Sequence, residues 1–512
     1  MSDVAVNDLD KAESASVWRY ARARRARVLI DADDYFKAVR EAMTHAQQRI
    51  FLIGWDFDSR ILLSGGRRWW HKPHRGKYPA RLGSFIVWLV KRTPGLDVKI
   101  LKWNFGVFSL MKRGSMIWDL ARWAKHQSIK FKFDTAHPIG CSHHQKIVVI
   151  DDCVAVCGGI DMTSDRWDTR DHVDEDERRR LPSGELYTPW HDLTMMMEGE
   201  IAGDLAELGR ARWMQAGGED LGECEPQDES PWPEELDADF EDVEIGIART
   251  RAQYDGVCAI REIEALFVEQ IARARRFVYA ETQYFASRKI AEAITKRLEE
   301  PEPPEFVILN PRHADGWLEQ TAMDTARIRL MRSMRQHDHA GRFHLYHPYT
   351  AEGTPIYVHA KLTIIDDEII RIGSANMNNR SLGLDSECDV FIDADRPANK
   401  GIGPTITRIR HSLLAEHCNI SVEEVAAGIE EHGSMAAMID SLPKEGKRLR
   451  PFHDEDLSDI ERALADNEIL DPESPDEFLE PISKRGLFRR GGLSRPRRAW
   501  RRIKRKVGKG KG

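Results

Sequence analysis

The pattern of apolar and polar positions repeats along the chain. Residues 40–55 (REAMTHAQQRIFLIGW) have the spacing of an amphipathic helix that leads into a buried strand, and residues 262–279 (EIEALFVEQIARARRFVY) have the same spacing. Two strand-like apolar segments follow in each half, at 97–101 and 129–133 and again at 305–309 and 342–346. The recurring order of helix, strand, strand and strand predicts an α/β protein with two homologous lobes. We expect each lobe to be a mixed β-sheet flanked by helices, with the functional site at the pseudo-twofold interface between them.

Each half closes with a predicted strand that carries the same polar motif. The pattern HxKxxxxD occurs as His144, Lys146 and Asp151 and again as His359, Lys361 and Asp366. Seven residues after each Asp, a pair of small residues begins, Gly158-Gly159 in the first half and Gly373-Ser374 in the second. A single copy of so short a motif is a weak signal, but two copies with the same downstream pair indicate a shared function.

The residue types in the motif indicate phosphate chemistry. On a strand, side chains two positions apart lie on one face, so each copy presents an imidazole next to an ammonium group. Two such pairs form a cationic pocket that suits a phosphodiester. One imidazole can attack phosphorus while the other protonates the leaving oxygen, and this chemistry requires no metal.

A structural role and a metal site are the alternatives for these residues. A lone histidine near a strand end is more often a packed or hydrogen-bonded residue than a catalyst, but the duplication of the pair favours catalysis. His143 and His144 are adjacent, yet neighbouring strand residues point to opposite faces, and a lysine in each copy would repel a cation. We therefore predict no metal ligands in the motifs and no cofactor.

The residues around both motifs resemble the phospholipase D superfamily, whose HKD motif both copies match. The stretch HHQKIVVIDDCVAVCGGIDMTSDRWD (143–168) is similar to the first motif of the eukaryotic-type enzymes that hydrolyse phosphatidylcholine. Further segments match in the same order: YTPWHD (187–192), VYAETQYF (278–285), GSANMNNRSLGLDSE (373–387) and IRHSLLAEHC (409–418). The resemblance covers about residues 25 to 420, and Thr282 departs from it where these enzymes usually carry Asn.

The resemblance implies a role for each matched residue. His144 would be the nucleophile that forms a phosphohistidine, and His359 the general acid that later activates water. Lys146 and Lys361 would bind the phosphate oxygens. Substrate-binding residues are expected at Asn376, Gly159 and Ser374, orienting carboxylates at Asp192 and Glu387, and strand-anchoring members of the catalytic motif at Asp151 and Asp366.

The resemblance also implies an activity. We expect a phospholipase D that cleaves the distal phosphodiester of a glycerophospholipid to phosphatidate and a head-group alcohol, with transphosphatidylation when an alcohol replaces water. A phosphatidyltransferase similar to cardiolipin synthase is the nearest alternative. A nuclease of the same family is the rival by substrate class, and a catalytically silent membrane-binding module is the third hypothesis.

The composition is that of a folded protein without membrane spans or a disulfide framework. The chain has 512 residues with 41% hydrophobic side chains, enough for a large core and more than one domain. Its longest apolar runs, such as Phe85–Val90, are far shorter than the roughly 20 residues that cross a bilayer. The acidic N-terminus does not resemble a signal peptide, and the seven cysteines show no paired spacing. We therefore expect a cytoplasmic protein that acts as a monomer.

Charge is distributed unevenly along the chain. The net charge is -8, but residues 484–512 hold 14 Lys or Arg and no acid, which leaves 62 bases and 84 acids in the rest of the chain. The spacing of Trp500, Ile503 and Val507 predicts a basic amphipathic helix that docks on an anionic membrane surface. The alternative is a disordered tail that binds nucleic acid or nothing specific. Because the rest of the chain is acidic, we expect no nucleic-acid partner and a peripheral association with membranes.

Two acidic stretches mark the predicted boundaries. Residues 217–244 carry 13 acids, three prolines and no base, which is typical of a solvated linker or surface loop. A second acidic stretch, 454–480, precedes the basic tail. The predicted organisation is a first lobe at 1–216, an acidic linker or loop at 217–247, a second lobe at 248–430, an acidic and partly disordered extension at 431–483 and a basic tail at 484–512.

Overall fold

The computed structural model of the chain describes residues 12–63, 78–103, 114–312 and 317–452. The strands in these residues are β1 (Arg19–Ile30), β2 (Arg49–Gly54), β3 (Asp97–Trp103), β4 (Ile129–Asp134), β5 (Ile147–Ile150), β6 (Val154–Gly158), β7 (Trp190–His191), β8 (Leu193–Glu198), β9 (Phe240–Arg251), β10 (Ile260–Arg261), β11 (Phe277–Thr282), β12 (Glu305–Leu309), β13 (Phe343–Tyr349), β14 (Tyr357–Val358), β15 (Lys361–Ile365), β16 (Ile369–Gly373), β17 (Glu387–Asp393) and β18 (Arg448–Pro451). The helices are α1 (Asp31–His45), α2 (Leu82–Arg92), α3 (Ser115–Trp123), α4 (Glu200–Gln215), α5 (Glu262–Arg273), α6 (Arg288–Leu298), α7 (Trp317–Arg335), α8 (Asn379–Gly383), α9 (Gly403–Cys418), α10 (Val422–His432) and α11 (Met435–Ser441), with a 3-10 turn at Pro397–Asn399.

Sixteen of the described strands form one large mixed sheet whose order reflects the repeat, and β7 and β14 pair in a separate two-stranded sheet. From edge to edge the order is β18-β13-β12-β11-β15-β16-β17-β9-β1-β8-β6-β5-β2-β3-β4, with β10 paired to β9. The antiparallel pair of β1 and β9 lies in the middle, and the strands on either side follow in matching order. The predicted α/β class, with two homologous lobes of mixed sheet and flanking helices, is confirmed, and the two sheets are joined into one through β1 and β9.

Three large hydrophobic clusters hold the layers together. One lies over the outer face of the first half under α1 and α2, and a second lies over the second half under α5 and α6. The largest joins both halves, because strands β6 and β8 contribute to it together with β16 and β17. The thiol of Cys157 contacts the carbonyl of Cys388 across this layer at 3.4 Å. The inner core therefore fixes the two halves against each other.

The same turn anchors the motif strand in each half. The carboxylate of Asp151 accepts backbone N–H bonds from residues 47, 48 and 49 at 2.7–2.8 Å, where α1 leads into β2. Asp366 accepts the corresponding bonds from residues 275, 276 and 277 at 2.6–2.8 Å, where α5 leads into β11. Both aspartates have positive φ, 52° and 51°, a conformation that Asp tolerates better than most residues. Each motif Asp thus ties its strand to the start of the neighbouring one.

The arginine-rich segment near the start of the chain is a strand, not a solvated helix face as its charges suggest. In β1, Ala21 and Ala23 are buried and Arg22 and Arg24 are exposed, which is the period-two alternation of a strand, and Ala26 resumes the buried face after Arg25. Arg25 is paired with the buried carboxylate of Glu198 at 2.5 Å, so part of the charge of the strand is neutralised by the neighbouring strand β8.

The predicted linker at 217–247 is ordered and ends earlier than expected. Strand β9 begins at Phe240, so the last residues of the predicted linker belong to the centre of the sheet. Before it, Trp232 is 3% exposed and packs in the core of the first half. The side chain of Arg49 donates to the carbonyls of Leu221 and Gly222 at 2.6 and 2.9 Å. The segment is a strap over the first half, held by one buried aromatic ring and by backbone carbonyls.

The second half also extends beyond its predicted end at residue 430. Helix α11 packs its buried face into the inner core, and β18 pairs with β13 at the sheet edge, so residues 431–452 belong to the folded body. The remainder of the predicted acidic extension and the basic tail at 484–512 lie outside the described residues. Within the described ranges, no helix has the length and apolarity needed to cross a membrane.

Candidate active site

Both motif histidines lie just before their strands rather than on them. Strand β5 begins after Lys146, and β15 begins at Lys361. The N–H of His144 donates to the carbonyl of Ser386 at 2.9 Å, and the N–H of His359 donates to the carbonyl of His191 at 2.8 Å. Each motif is therefore held by backbone from the opposite half, next to the residue that supplies its carboxylate.

Each motif imidazole is paired with a carboxylate from the opposite half. Nδ1 of His144 lies 3.0 Å from Oε2 of Glu387, and Nδ1 of His359 lies 2.6 Å from Oδ2 of Asp192. Both carboxylates are fully buried, with 0% and 1% of their side chains exposed. A hydrogen bond at Nδ1 fixes the ring and its tautomer and leaves Nε2 as the atom that can meet a substrate. The structure thus brings together the two histidines and the two carboxyl groups that the resemblance names, and shows which carboxyl group lies at which histidine.

Lys146 is held beside His144 by its own half. Its Nζ donates to the carbonyl of His144 at 2.8 Å and lies 3.3 Å from Oδ2 of Asp161. The other oxygen of Asp161 accepts the N–H of Trp55 at 3.0 Å, so this carboxylate is fixed by the loop after β2.

Lys361 has a neutral partner instead. Its Nζ donates to the carbonyl of His359 and to Oε1 of Gln283, the latter at 3.1 Å. The amide nitrogen of Asn376 donates to the same oxygen at 3.4 Å. Gln283 therefore joins two of the residues expected to bind phosphate. Thr282, the residue that departs from the family pattern, accepts the N–H of Met377 at 3.4 Å and so supports the segment that carries Asn376.

The electrostatics show that both motifs share one site. Burial, followed by the charges of Lys146 and Lys361, lowers the pKa of His144 well below its usual value. Burial, followed by Lys361 and Arg166, lowers the pKa of His359, and Lys146 adds to the shift. Burial also lowers the pKa of Lys361 to about 7. Because each imidazole feels the lysines of both halves, the site disfavours added positive charge and suits an anionic ligand.

The two carboxyl groups are shifted in the opposite direction. Burial raises the pKa of Asp192 to about 7 and that of Glu387 to about 8, although the neighbouring lysines oppose both shifts. In each pair it is therefore the carboxyl group whose pKa lies near neutral pH, because burial lowers the pKa of the imidazole well below it. Such a pair can hold or release one proton at the pH at which catalysis usually operates.

Gly159 and Ser374 contact the carboxylates. A Cβ atom on Gly159 would lie 2.0 Å from Oδ1 of Asp192, so only glycine lets this carboxylate reach His359. The hydroxyl of Ser374 donates to Oε2 of Glu387 at 2.5 Å, and its carbonyl lies 3.0 Å from Nδ1 of His144. A direct contact between these two residues and a substrate stays a prediction.

Aromatic rings line both sides of the site. The ring of Trp55 meets His144 edge to face with centroids 6.3 Å apart. On the other side, the centroid of Trp190 lies 5.1 Å from that of His359 and 4.6 Å from that of Tyr357, on which it stacks. Arg166 lies over the Trp190 ring at 4.3 Å.

Sequence reasoning assigned no role to several residues of the site. Gln283, Asp161 and Arg166 lie within the VYAETQYF, GGID and RWD segments that carry the family resemblance. Their positions within matched segments were the available signal, but their contacts with Lys361, Lys146 and Trp190 depend on the fold. Among the described residues, the groups of donors close enough to hold a metal ion lie around His191, not at the two motifs.

Comparison with known proteins decides the family. A sequence model described as phospholipase D matches residues 109–296 and 332–465, more than half of the chain. The chain belongs to the phospholipase D family. The expected resemblance to eukaryotic members is confirmed by curated relatives from a slime mould, a yeast and plants.

The relatives are longer proteins. Phospholipase D A of Dictyostelium discoideum is 25% identical over 70% of this chain and 32% of its own length. Phospholipase D1 of Saccharomyces cerevisiae is 25% identical over 84% of this chain and 31% of its own length. Phospholipase D alpha 1 of Carica papaya is 23% identical over 74% of this chain and 63% of its own length. The chain thus spans about a third of the first two relatives.

A solved structure supports the fold. The crystal structure of phosphatidylserine synthase from Haemophilus influenzae superposes with a TM-score of 0.52, covers 85% of this chain and 98% of its own, and is 10% identical. At this identity the likeness concerns the fold alone.

Proposed function

We propose that this protein is a phospholipase D that cleaves the distal phosphodiester of a glycerophospholipid through a phosphohistidine. The observation that carries the proposal is the pair of reciprocal imidazole–carboxylate contacts, His144 with Glu387 and His359 with Asp192. Two lysines share the site and suit a singly charged phosphodiester. The names of the curated relatives support the same reaction class.

The first step uses the two imidazoles in different roles. Nε2 of His144 attacks phosphorus while the bond between phosphorus and the head-group oxygen breaks. Nε2 of His359 gives its proton to that oxygen, and the head-group alcohol leaves. Lys146, Lys361 and Asn376 stabilise the charge on the non-bridging oxygens as the bond order changes.

The second step regenerates the enzyme. Deprotonated His359 takes a proton from water, the water oxygen attacks phosphorus, and the bond between phosphorus and Nε2 of His144 breaks. Phosphatidate is released, and both histidines return to their starting states. An alcohol in place of water gives transphosphatidylation by the same path.

A lipid surface is the proposed source of the substrate. Four exposed apolar side chains lie in segments that follow the carboxyl ends of β2, β3 and β4, the sheet edge at which His144 lies. They are Leu62, Ile117, Trp118 and Ile139, which are 52%, 50%, 77% and 80% exposed. Exposed aromatic and aliphatic side chains of this kind insert at the boundary between head groups and acyl chains. This rim supports a peripheral membrane association, to which the basic tail at 484–512 would add electrostatic attraction.

A substrate panel tests the reaction. The full chain is incubated, without added metal, with phosphatidylcholine vesicles, with phosphatidylglycerol and with single-stranded DNA, with and without a primary alcohol. We expect choline release, phosphatidate in water and phosphatidyl alcohol when the alcohol is present, all abolished in His144→Asn. Conversion of phosphatidylglycerol to cardiolipin without choline release would favour the phosphatidyltransferase, and DNA cleavage without lipid turnover would favour the nuclease.

Vesicle binding tests the proposed surface. We expect Trp118→Asp to weaken sedimentation with phosphatidylcholine vesicles severalfold while leaving turnover of a soluble short-chain lipid unchanged. The matched control is Val268→Asp, because Val268 is also an exposed apolar residue, 41% exposed, but lies on α5. Deletion of residues 484–512 should weaken binding to anionic vesicles alone. Equal binding by wild type, Trp118→Asp and the deletion would contradict the surface proposal.

A further inference from the structure

A second group of histidines and carboxylates lies buried beneath the proposed active site. Asp31 begins α1, His172 follows the GGID and RWD segments, His191 is the residue before Asp192, and Glu416 lies near the end of α9. Each of the four side chains is 1% exposed or less. The proposed mechanism uses none of them, so their burial together requires another explanation.

The oxygen and nitrogen atoms of these four side chains that could bind a metal lie close to one another. Oε1 of Glu416 lies 3.0 Å from Nε2 of His172 and 3.0 Å from Nδ1 of His191. The carboxylate of Asp31 lies 3.1 Å from Nδ1 of His191 and 3.5 Å from Nε2 of His172. A tetrahedral zinc ion with bonds of about 2.0–2.1 Å places its donors about 3.3–3.4 Å apart. The four distances above, 3.0–3.5 Å, bracket this value, and one donor atom from each of the four side chains lies within 4.8 Å of the other three.

Outer carboxylates hold both imidazoles by their other nitrogen. Nδ1 of His172 lies 3.1 Å from Asp168, and Nε2 of His191 lies 2.7 Å from Glu281. Metal-bound histidines almost always have such a partner, which fixes the tautomer and directs the free lone pair to the ion. Asp168 is held in turn by Arg179 at 3.1 Å.

Two atoms of the group lack a hydrogen-bond partner although they are fully buried. These are Oδ2 of Asp31, 3.5 Å from Nε2 of His172, and Nδ1 of His191, 3.0 Å from Oε1 of Glu416. The other oxygen of Glu416 is paired with Arg170 at 2.5 Å, whereas in the described part of the chain the ion pairs of Asp31 and Glu281 are with histidines only. The burial of Asp31 and Glu281 carries a desolvation cost, which a divalent ion at this point would offset.

We propose that Asp31, His172, His191 and Glu416 bind a zinc ion. Softer sulfur ligands are absent from this group, and two imidazoles with two carboxylates suit a divalent first-row metal. Asp31, His172 and His191 come from the first half and Glu416 from the second, so the ion would join the halves. Its position is structural rather than catalytic, because all four coordination positions are filled by protein. The proposal does not depend on the proposed phospholipase reaction.

Metal content tests the site on the full chain. Protein expressed in medium supplemented with zinc, dialysed against chelator under native conditions and gel-filtered should retain about one zinc per chain. His172→Gln should retain about tenfold less zinc or none. His347→Gln is the matched control, because His347 is buried but bonds to the carbonyl of Asn310 at 2.7 Å, outside this group.

A spectroscopic measurement keeps the test valid if His172→Gln fails to fold. Wild-type protein expressed with cobalt in place of zinc should show the intense visible bands of a four-coordinate ion, and X-ray absorption should find nitrogen and oxygen donors at about 2.0–2.1 Å. Wild-type protein that retains less than about a tenth of an equivalent of any divalent metal would overturn the proposal. Equal zinc in wild type and folded His172→Gln would overturn it as well.

Discussion

The two halves of the molecule share a scaffold and differ at the site. Each half has a motif Asp at a positive-φ turn that accepts three backbone N–H groups, and each sends its histidine to a carboxylate of the other half. The side chains around the lysines do not match. Trp55 lies six residues after Arg49, the last of the three anchored residues in the first half. Gln283 lies six residues after Phe277, the corresponding residue in the second half. The two halves therefore share the residues that anchor the motif strands and differ in the residues that surround the reacting groups.

A second difference lies just after the pairs Gly158-Gly159 and Gly373-Ser374. Two residues beyond Gly159 lies Asp161, and two residues beyond Ser374 lies Asn376. Lys146 therefore faces a carboxylate, whereas the neutral amides of Gln283 and Asn376 lie together beside the other lysine. The lysine of the second half is the less compensated charge, and its surroundings offer N–H donors to an anion.

The imidazoles differ as well. His144 keeps 15% of its side chain exposed, and its Nδ1 has two acceptors, Glu387 and the carbonyl of Ser374. His359 is 6% exposed, and its Nδ1 has the shorter bond, to Asp192. These differences fit a more accessible nucleophile and a general acid that depends on one carboxyl group.

Removal of each histidine is expected to have the largest effect. His144→Ala should lower kcat by about 10⁴-fold or more, equivalent to about 5.4 kcal/mol in the activation barrier, because no covalent intermediate can form. His359→Ala should cost about 10²–10⁴-fold, because it removes acid and base catalysis. Steady-state choline release measures both.

A substrate whose leaving group needs no proton distinguishes the role of His144 from that of His359. With an activated nitrophenyl ester of phosphatidate, departure needs no proton, so His359→Ala should still release a first equivalent of nitrophenol rapidly, whereas His144→Ala should not. Equal losses in both variants with both substrates would show that the histidines are interchangeable.

Removal of the orienting carboxyl groups should have the next largest effect. Asp192→Asn should lower kcat about 100-fold and Glu387→Gln about 10-fold, because His144 keeps the Ser374 carbonyl as a partner, whereas His359 loses the one carboxylate that contacts it among the described residues. Circular dichroism and unfolding midpoints provide the folding control. A larger loss in Glu387→Gln than in Asp192→Asn would contradict the difference between the halves.

The anchoring aspartates should affect stability more than catalysis. Asp151→Ala should destabilise the protein by about 3 kcal/mol, since three N–H groups lose their acceptor and alanine disfavours positive φ. Asp366→Ala should cost about 2 kcal/mol, because its turn is less buried and water can replace the carboxylate. Urea unfolding midpoints measure both changes, with Asp151→Asn as the matched control that tolerates the turn. An unchanged midpoint in Asp151→Ala would refute the anchoring role.

The pH dependence should show the smallest effect. Because burial raises the pKa of Asp192 to about 7, the His359–Asp192 pair keeps its extra proton below that pH and loses it above. Turnover of phosphatidylcholine should therefore fall as the pH rises through about 7, by up to about tenfold per unit. The nitrophenyl ester should show a weaker alkaline decrease in its first turnover. The same decrease with both substrates would place the titrating group outside the acid step.

Much of the fold followed from the repeated pattern. The apolar runs IVVI and LTII, between the Lys and the Asp of each motif, predicted buried strands, and they lie in β5 and β15. The arginines of β1 did not indicate a central strand, because the residues that neutralise their charges, such as Glu198, lie far along the chain. The acidic strap was expected to be solvated because residues 217–244 carry 13 acids. A single buried ring, Trp232, holds much of it in place, and its burial depends on the fold.

The surroundings of the site were less predictable than the motifs. Spacing within a motif places His and Lys side by side, but it does not show which residue of the opposite half meets Nδ1. Only the resemblance suggested Asp192 and Glu387. The buried group around His191 joins residues as distant as Asp31 and Glu416, which only the packed halves bring together.

The most direct test of the assigned roles is to locate the covalent adduct. His359→Ala is mixed with phosphatidylcholine, quenched within the first turnover into alkaline denaturant that preserves the acid-labile bond between phosphorus and nitrogen, digested and mapped by mass spectrometry. We expect a phosphatidyl group on the peptide that contains His144, and none in His144→Ala treated in the same way. An adduct on His359 in His144→Ala, or choline release by His359→Ala with no adduct at His144, would contradict the assigned roles.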